Sequence, residues 1–471
     1  MASSSGLRSV SPGKGLLYDK GAMIIKNRPA LATTGPRDKV LQIIEVGIKR
    51  ILPPNIMKVA VSYDAPHHTI KIQGDSFSLS ATNRIFVVGG GKASGLMAQA
   101  LEAIIGIENI TDGVVNFKGG QVKTQKIKAV IAGHPTPDQR GVGGVSEMLA
   151  LKDRYAIGEN DIVICLLSGG GSALMPYPVE GVSLSDKQKI TELLIGSGAK
   201  IDEINVVRKH LSRVKGGQLG DFYSPARVIS LILSDVIGND LTTIASGPTT
   251  PDPSTFADAH NVLKRYHLLT RTPRSVIDFI EKGQRGEAPE TPKVLKNCRN
   301  YIIGDNKLAL EAMAAKAKEL GFSPYIITSQ QMGDTTKVAR YRAREVIEHK
   351  HAGYNALLIG GETTIELPPD AGRGGRNQHY AAVSLLAMAD YPGDWVVASV
   401  ASDGSDFLSD VAGAIVDQNS LETAKDKKLD IKTYIERCDG HTLLEKIGNS
   451  LLITGDTGTN VGDVIVYLVG V

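Results

Sequence analysis

The chain has 471 residues, enough for roughly two or three domains with full cores, and its 42% hydrophobic and 22% charged residues are ordinary for a soluble globular protein. A net charge of +3 without a long basic block argues against nucleic acid as a partner, and no apolar run reaches the ~18 residues of a membrane span. The three cysteines are far apart and fit neither a zinc site nor a disulfide framework, which favours a reducing compartment.

Residues 1–36 are predicted to form a tail that docks in part through the apolar run at 23–25. The start of this tail is rich in serine and has no acidic residue before Asp19, a composition faintly similar to a transit peptide. The stretch is too short and too poor in arginine to identify a transit peptide, so a cytoplasmic location is expected, with a mitochondrial one as the alternative. A helix is predicted at 37–51, where apolar residues recur at helical spacing before two prolines.

A strand, a glycine turn and a helix start follow one another in the stretch 84–102. Residues 85–88 form an apolar run, Gly89, Gly90 and Gly91 follow, and Lys92 opens a segment with helical apolar spacing. Free backbone N–H groups and the positive end of the helix dipole are expected to converge there on an anion. The alternative is an ordinary turn of a doubly wound sheet with a solvated lysine. The spacing matches neither a P-loop nor the G-x-G-x-x-G dinucleotide fingerprint.

Further strands alternate with helices through the rest of a first unit, residues 37–285. The strands are predicted at 129–132, 162–167 and 228–233, with helices at about 143–157, 185–198 and 203–214. This alternation is typical of a parallel, Rossmann-like sheet with helices on both faces. Ligands of such sheets lie beyond the carboxyl ends of the strands, where this chain has glycine, serine and aspartate.

The pattern restarts in a second α/β unit, residues 286–471, after a polar stretch rich in proline and glutamate. Its strands are predicted at 301–303, 324–328, 355–359, 395–400, 450–453 and 463–469. Most of them again end in polar residues. The predicted fold class is α/β with two domains and a short N-terminal tail.

Two further loops are candidates for holding an anion. The segment 168–172 combines small residues, which let backbone N–H groups approach a ligand, with two hydroxyls, although a turn needed only for packing is the alternative. The segment 372–378 places Arg373 and Arg376 at a glycine-flanked helix start, and arginine binds carboxylate or phosphate through paired hydrogen bonds. Arg376 is favoured for ligand contact because it is nearer the helix.

Several carboxylates lie at or just past predicted strand ends. Alone, each is more often a helix cap or a turn residue than a ligand or a base. Together, beside glycine turns and arginines, they favour phosphate chemistry, in which a carboxylate holds Mg²⁺ or accepts a proton from a hydroxyl. They are Asp235, Glu362, Asp403, Asp406 and Asp456. His134 also follows a strand, but a structural hydrogen bond explains it equally well.

Long runs of this sequence resemble the glycerate 2-kinase family, once also described as hydroxypyruvate reductases, whose C-terminal part is the MOFRL domain. The matching runs span about residues 84–470 in order and include VVGGGKASG, LSGGGSALMP, LSDVIGNDLTTIASGPT, GRGGRNQ and TGDTGTNVGD. The resemblance implies a two-domain α/β protein with its active site in the cleft between the domains. It also implies transfer of the γ-phosphoryl group of MgATP to the 2-hydroxyl of D-glycerate.

The resemblance places the family's catalytic lysine on Lys92 and its loop arginine on Arg376, with Arg373 as the less favoured position. Asp235 is the predicted base because it follows a strand of the same sheet as Lys92, and Asp403 and Asp456 are the predicted metal ligands. The other predicted substrate or phosphate contacts are Gly89, Gly90, Gly91, Ser168, Gly169, Gly170, Gly171, Ser172, Arg373, Asn377, Glu362, Thr457 and Asn460.

Two positions depart from the family pattern. Residues 407–409 read Phe-Leu-Ser where Gly-Pro-Thr is usual, which weakens any role for Asp406. His379 stands where glutamate is common and is predicted to be a change on a helix surface. Neither departure removes Lys92 or the arginines, so an active enzyme that uses ATP and Mg²⁺ is expected.

Two alternative functions are kept. The first is an NAD(P)H-dependent hydroxypyruvate reductase. Such an enzyme needs an acidic residue to bind a ribose, at the end of a second strand about 20 residues after the glycine turn, and this sequence shows no clear candidate there. The second is a non-catalytic protein that binds a nucleotide or a sugar acid. The expected partners are D-glycerate and ATP, without nucleic acid or membrane, and whether the chain forms a homodimer is left open.

Overall fold

The computed structural model describes residues 23–80, 82–408 and 410–470, so most of the predicted tail lies outside the described residues. The strands are β1 (Val61–Asp64), β2 (Thr69–Ile72), β3 (Asp75–Ser78), β4 (Ile85–Gly90), β5 (Asp112–Phe117), β6 (Ile127–Ile131), β7 (Ile162–Ser168), β8 (Arg227–Leu233), β9 (Cys298–Gly304), β10 (Pro324–Gln331), β11 (Ala356–Gly361), β12 (Trp395–Ala401), β13 (Gly413–Asp417), β14 (Leu451–Leu452) and β15 (Asp463–Val469).

The α-helices fill the intervals between the strands. They are α1 (Arg28–Leu31), α2 (Gly35–Arg50), α3 (Pro53–Ala60), α4 (Ser94–Ile105), α5 (Gln139–Tyr155), α6 (Gly171–Leu174), α7 (Leu184–Gly196), α8 (Ile201–His210), α9 (Gln218–Phe222), α10 (Phe256–Arg265), α11 (Arg274–Gln284), α12 (Asn306–Glu319), α13 (Thr335–Ile347), α14 (Arg376–Ala387), α15 (Gln418–Asp426), α16 (Ile431–Glu436) and α17 (Gly440–Ile447).

The first large sheet is wholly parallel, in the order β6-β5-β4-β7-β8-β9. Every residue of the central strands β4 and β7 is buried, because helices cover both faces, and this is why their sequences are continuous apolar runs. The strand order reverses between β4 and β7. Such a reversal leaves a crevice at the carboxyl ends of the two strands, which is where open α/β sheets bind ligands.

The second large sheet is mixed, in the order β10-β11-β15-β12-β13-β14. Only β10 and β11 run parallel, and β15 lies antiparallel between β11 and β12. The register places Asp463, the first residue of β15, opposite both Gly361 and Ala401. The start of β15 therefore lies at the same edge as the ends of its two neighbours. The predicted two-part α/β fold is confirmed.

The two units interlock across the boundary predicted at residues 285 and 286. Strand β9 pairs in parallel with β8, so the strand predicted at 301–303 for the second unit is the last strand of the first sheet. Helix α2, predicted as the start of the first unit, packs against α12 and against β12 and β15 of the second sheet. One hydrophobic core runs from Ile44 of this helix to the strands of both sheets.

Ile25 and Leu31, in the described end of the predicted tail, are fully buried, as the predicted docking of the apolar run requires. Within the described residues, no helix has the length and the apolar character that a membrane crossing needs.

Candidate active site

A cavity of about 710 Å³ lies between the carboxyl edge of the first sheet and loops of the second. Its volume is in the range of small-molecule sites. The first sheet contributes Lys92, Leu96, Gln99 and residues 117–122, and the second contributes residues 403–405 and 456–459. The loop 117–122 was not predicted, although Lys118-Gly119-Gly120 directly after an apolar strand is the same signal that identified the other loops.

Lys92 links the two walls of this cavity. Its Nζ lies 3.0 Å from Oδ2 of Asp403, and the two side chains are 19% and 21% exposed. Asp403 also accepts a hydrogen bond from the backbone N–H of Ser405 at 3.0 Å, which fixes the carboxylate. The predicted lysine and a predicted metal ligand are therefore in direct contact, and both remain accessible from the cavity.

The glycine turn before Lys92 is not an open row of N–H groups. The N–H of Gly91 donates to the carbonyl of Asn116 at 3.1 Å, that of Lys92 to the carbonyl of Gly169 at 2.8 Å, and that of Ala93 to Oγ of Ser168 at 2.9 Å. For these amides the prediction of free donors is wrong, because the turn is bonded to its neighbouring strands.

Packing explains the glycines of the same turn. Gly89 and Gly90 are the last residues of β4. At Gly91, whose φ is 158°, a Cβ would lie 2.2 Å from Oγ of Ser168. Ser168 is itself 1% exposed. These residues position Lys92 from behind, and the packing alternative accounts for their identity.

Asp235 lies directly behind the second glycine loop. A Cβ on Gly169 would fall 1.9 Å from Oδ2 of Asp235, so the bare glycine makes room for the carboxylate. Nδ2 of Asn460, from the second sheet, donates to the same oxygen at 2.9 Å. Burial raises the pKa of Asp235 to about 6, although the charge on Lys92 acts in the opposite direction. A carboxylate with this pKa, next to a lysine, is suited to accept a proton near neutral pH.

The rest of the loop 168–172 separates two groups of side chains. A Cβ on Gly170 would lie 2.9 Å from the ring of His134 and 3.2 Å from Cγ of Lys92, so this residue faces the cavity lysine. Burial, together with the charge on Lys92, lowers the pKa of His134 to about 4, so the ring is neutral at pH 7. On the other side of the loop, Oγ of Ser172 is 2.8 Å from Oγ of Ser246.

Arg376 is held by two carboxylates. Its Nε and NH2 donate to the two oxygens of Asp463 at 2.6 and 3.0 Å, and its NH1 donates to Glu362 at 2.6 Å. Burial alone would lower the pKa of the guanidinium, but these carboxylates raise it. The sequence does not identify Asp463 as a site residue, because it begins its strand and reaches this edge only through the antiparallel register.

Comparison with known proteins agrees with the two-part α/β fold. Residues 39–281 match the domain of unknown function DUF4147, and residues 355–463 match the MOFRL family. A glycerate 2-kinase from Pyrococcus horikoshii is 38% identical over 443 residues, covering 91% of this chain and 98% of that protein. The chain belongs to the glycerate kinase family.

Two further relatives of this chain carry different names. The crystal structure of a glycerate kinase from Thermotoga maritima has a TM-score of 0.79 and 37% identity, and the match covers 92% of this chain and 98% of that chain. A protein from Agrobacterium vitis, 36% identical over 394 residues that cover 82% of this chain and all of that protein, is named only provisionally as a hydroxypyruvate reductase.

Several predicted site residues make hydrogen bonds within the second unit and do not line the cavity. Asn377 is 1% exposed, and its backbone and side-chain N–H groups donate to Asp406 and Asp463. Asp406, also buried, accepts the first N–H groups of α14 and so caps this helix. Arg373 is exposed away from the cavity. Asn377 is therefore engaged within the second sheet, and the expectation that His379 is a surface residue is wrong, because it is 1% exposed.

The remaining predicted contacts lie at the cavity edge. Thr457 lines the cavity, but its hydroxyl donates to the carbonyl of Ser402 at 2.7 Å. Asp456 is exposed and accepts the N–H of Gly458 at 2.8 Å. In the part of the chain that the structure describes, no group of three or more His, Cys, Asp or Glu side chains is arranged to hold a metal ion.

Proposed function

We propose that this chain transfers the γ-phosphoryl group of MgATP to the 2-hydroxyl of D-glycerate, giving 2-phosphoglycerate and ADP. The observation that carries the proposal is the Lys92 ammonium group, which lies in a cavity between the two sheets of a glycerate kinase family member. Near full-length similarity to proteins named as glycerate kinases supports both the substrate and the reaction.

Lys92 is suited to the charge that phosphoryl transfer develops. This reaction needs positioning and electrostatic stabilisation more than covalent help from the protein. The ammonium group is held at 3.0 Å from Asp403 and faces a cavity that both sheets line. A phosphate group entering the cavity would share or replace Asp403 as the partner of Lys92, so the charge of the lysine is available to the transferred group.

Asp235 is the residue suited to accept the proton of the glycerate hydroxyl. Its pKa of about 6 leaves it ionised at pH 7 while keeping it more basic than an exposed aspartate. The hydrogen bond from Asn460 and the space left by Gly169 hold one carboxylate oxygen in place. His134, whose pKa is about 4, is a neutral neighbour of Lys92 and adds no competing charge.

The donor set also fits a magnesium ion that arrives with ATP. Asp403 and Asp456 both line the cavity, and each already accepts a backbone N–H that orients its carboxylate. Protein sites commonly hold Mg²⁺ through one or two carboxylates together with substrate phosphates, so a larger cluster is not required. When bound, the ion would be held by Asp403 and Asp456 and would neutralise part of the phosphate charge.

The reductase alternative finds less support in the geometry. A dinucleotide pyrophosphate is bound by free N–H groups at a glycine turn before a helix. At the turn before α4, the N–H groups of Gly91, Lys92 and Ala93 donate to protein oxygens. The provisional name of one relative is the observation that keeps this alternative open to experiment.

The deciding experiment supplies ATP and D-glycerate and identifies the product by NMR. Release of ADP that depends on D-glycerate, with 2-phosphoglycerate as product, is the expected result. Formation of 3-phosphoglycerate would contradict the assignment, and ADP release without glycerate dependence would indicate an ATPase or a binding protein. A parallel incubation with hydroxypyruvate and NADPH, followed by absorbance, should show no oxidation of the nucleotide.

A further inference from the structure

Among the described residues, three cations beside the proposed kinase site have no carboxylate partner. Lys187 and Lys215 are 7% and 1% exposed, and Arg208 is partly buried. In the described residues, none of the three forms an ion pair, whereas the neighbouring Lys209 pairs with Asp252 at 3.3 Å. Lys187 donates only to the carbonyl of Leu211, and the guanidinium of Arg208 has no hydrogen-bond acceptor in the described chain.

Lys215 still has one donor to spare. Its Nζ donates to the carbonyls of Ser172 and Met175 at 2.8 and 3.2 Å, which uses two of the three N–H bonds of an ammonium group. Burial, and then the charge on Arg208, lowers the pKa of Lys215 to about 7. Buried cations that repel one another are unfavourable without a counterion. Since the described part of the chain supplies no such counterion, an anion from solution would stabilise the group.

The side chains around Arg208 connect this group of cations to the proposed kinase site. Asn205 precedes Arg208 by three residues on α8, so the two lie on one face of the helix. Oδ1 of Asn205 accepts the hydroxyl of Ser246 at 3.3 Å, and Ser246 in turn contacts Ser172. Ser172 lies two residues after Gly170, which faces Lys92. The cations therefore lie behind the same loop that borders the lysine.

The backbone at Ser246 is strained. Ala245 and Ser246 have φ values of 51° and 61°, so two successive residues with side chains occupy the left-handed region. Such strain is found most often where a site requires a particular arrangement. Here the strained turn presents the hydroxyl of Ser246, 0% exposed, to Ser172 and to the face of α8 that carries Arg208.

We propose that Arg208, Lys215, Ser172 and Ser246 form an oxyanion subsite of the proposed kinase site, which binds either the carboxylate of D-glycerate or a phosphate group of ATP. The assignment to a substrate rests on the proposed function. Arg376 is a poorer candidate, because all three nitrogens of its guanidinium donate to Asp463 and Glu362. A guanidinium without such partners can bind an oxyanion through two parallel hydrogen bonds.

The kinetic test uses Arg208→Gln, with Arg213→Gln as the matched control. Arg213 lies in the same segment, is exposed and stacks on Tyr177. Arg208→Gln should raise the KM of one substrate roughly tenfold or more, while the control stays near the wild-type value. An increase for D-glycerate identifies the carboxylate as the ligand, and an increase for ATP identifies a phosphate. Unchanged values for both substrates would overturn the subsite.

A second measurement does not depend on kinase activity. The melting temperature of the wild-type protein and of both variants is recorded with increasing inorganic phosphate. Phosphate should stabilise the wild type and Arg213→Gln, and the stabilisation should be lost in Arg208→Gln. Equal stabilisation of all three proteins, or none in the wild type, would overturn the subsite even if the chain proves not to phosphorylate glycerate.

A third measurement covers the case in which Arg208→Gln does not fold. A crystal structure of the wild-type protein grown in phosphate should show the anion within hydrogen-bonding distance of Arg208. Phosphate bound only at Lys92 would overturn the proposal and leave the proposed function unaffected.

Discussion

The two sheets hold the polar residues of the candidate site in different ways. From the first sheet, Lys92 and Asp235 each have their partner on the opposite sheet, namely Asp403 and Asn460. From the second sheet, Arg376 is held by carboxylates of its own sheet. A ligand that enters between the sheets can replace the partners of Lys92 and Asp235. The guanidinium of Arg376, in contrast, is already hydrogen-bonded to its own carboxylates. Lys92 and Asp235 of the first sheet can therefore exchange their partners for a ligand, whereas Arg376 of the second sheet is fixed by its own carboxylates.

Lys92→Ala tests this comparison with the largest expected effect. Loss of one charge-stabilising group should lower kcat by about 100- to 1000-fold. The melting temperature should change little, because Lys92 is linked to the second sheet by a single accessible ion pair. ADP release and circular dichroism measure the two quantities. Lys128→Ala, which removes an exposed lysine paired with Glu147, is the control. Turnover near normal would remove the role assigned to Lys92.

Asp235→Asn should have the next largest effect, roughly a 100-fold loss of kcat/KM. In the wild type, kcat/KM should rise as the pH increases through about 6, because only the ionised Asp235 can accept a proton and its pKa is about 6. His134, with a pKa of about 4, is already neutral in this range and cannot produce this rise. The variant should lose the rise near pH 6. Its persistence in the variant would assign the base elsewhere.

Arg376→Gln is expected to affect stability more than chemistry. Asp463 is 3% exposed and would lose the guanidinium that compensates its charge. The free energy of unfolding at pH 7 should fall by about 2–3 kcal/mol, less than for a fully buried pair because the Arg376 side chain is 31% exposed. Urea denaturation measures this, with Arg373→Gln as the exposed control. A raised KM without a loss of stability would show that Arg376 contacts the ligand.

Asp456→Asn should have the smallest effect. The side chain is exposed at the cavity edge, so the free energy of unfolding should stay within about 0.5 kcal/mol of the wild-type value. The Mg²⁺ concentration that gives half-maximal activity should rise, by up to roughly tenfold, because one oxygen ligand is lost. Asp390→Asn, at an exposed position of the second unit, is the control. An unchanged Mg²⁺ requirement would leave Asp403 as the one predicted ligand still in place.

The first sheet was more predictable than the second for a physical reason. A buried parallel strand is an apolar run followed by a polar turn, so Lys92 and Asp235 could be located from sequence at the ends of β4 and β8. The sequence does not reveal the direction of a strand, and Asp463 reaches the site because β15 is antiparallel. The sequence also gives no sign that Arg208 has no carboxylate partner among the described residues, since a cation on a helix is usually solvated.

The position of α2 limits how this protein can be divided. The helix precedes the whole first sheet, yet Arg37 at its start forms a 2.9 Å ion pair with Asp417, at the end of β13 in the second sheet. A fragment that begins after the first sheet would leave the Asp417 carboxylate, 4% exposed, without its cation. A fragment that ends before β9 would leave one edge of β8 unpaired. Neither half of the chain is therefore self-contained. A rearranged chain that separates the two halves would have to keep residues 35–50 together with the second half.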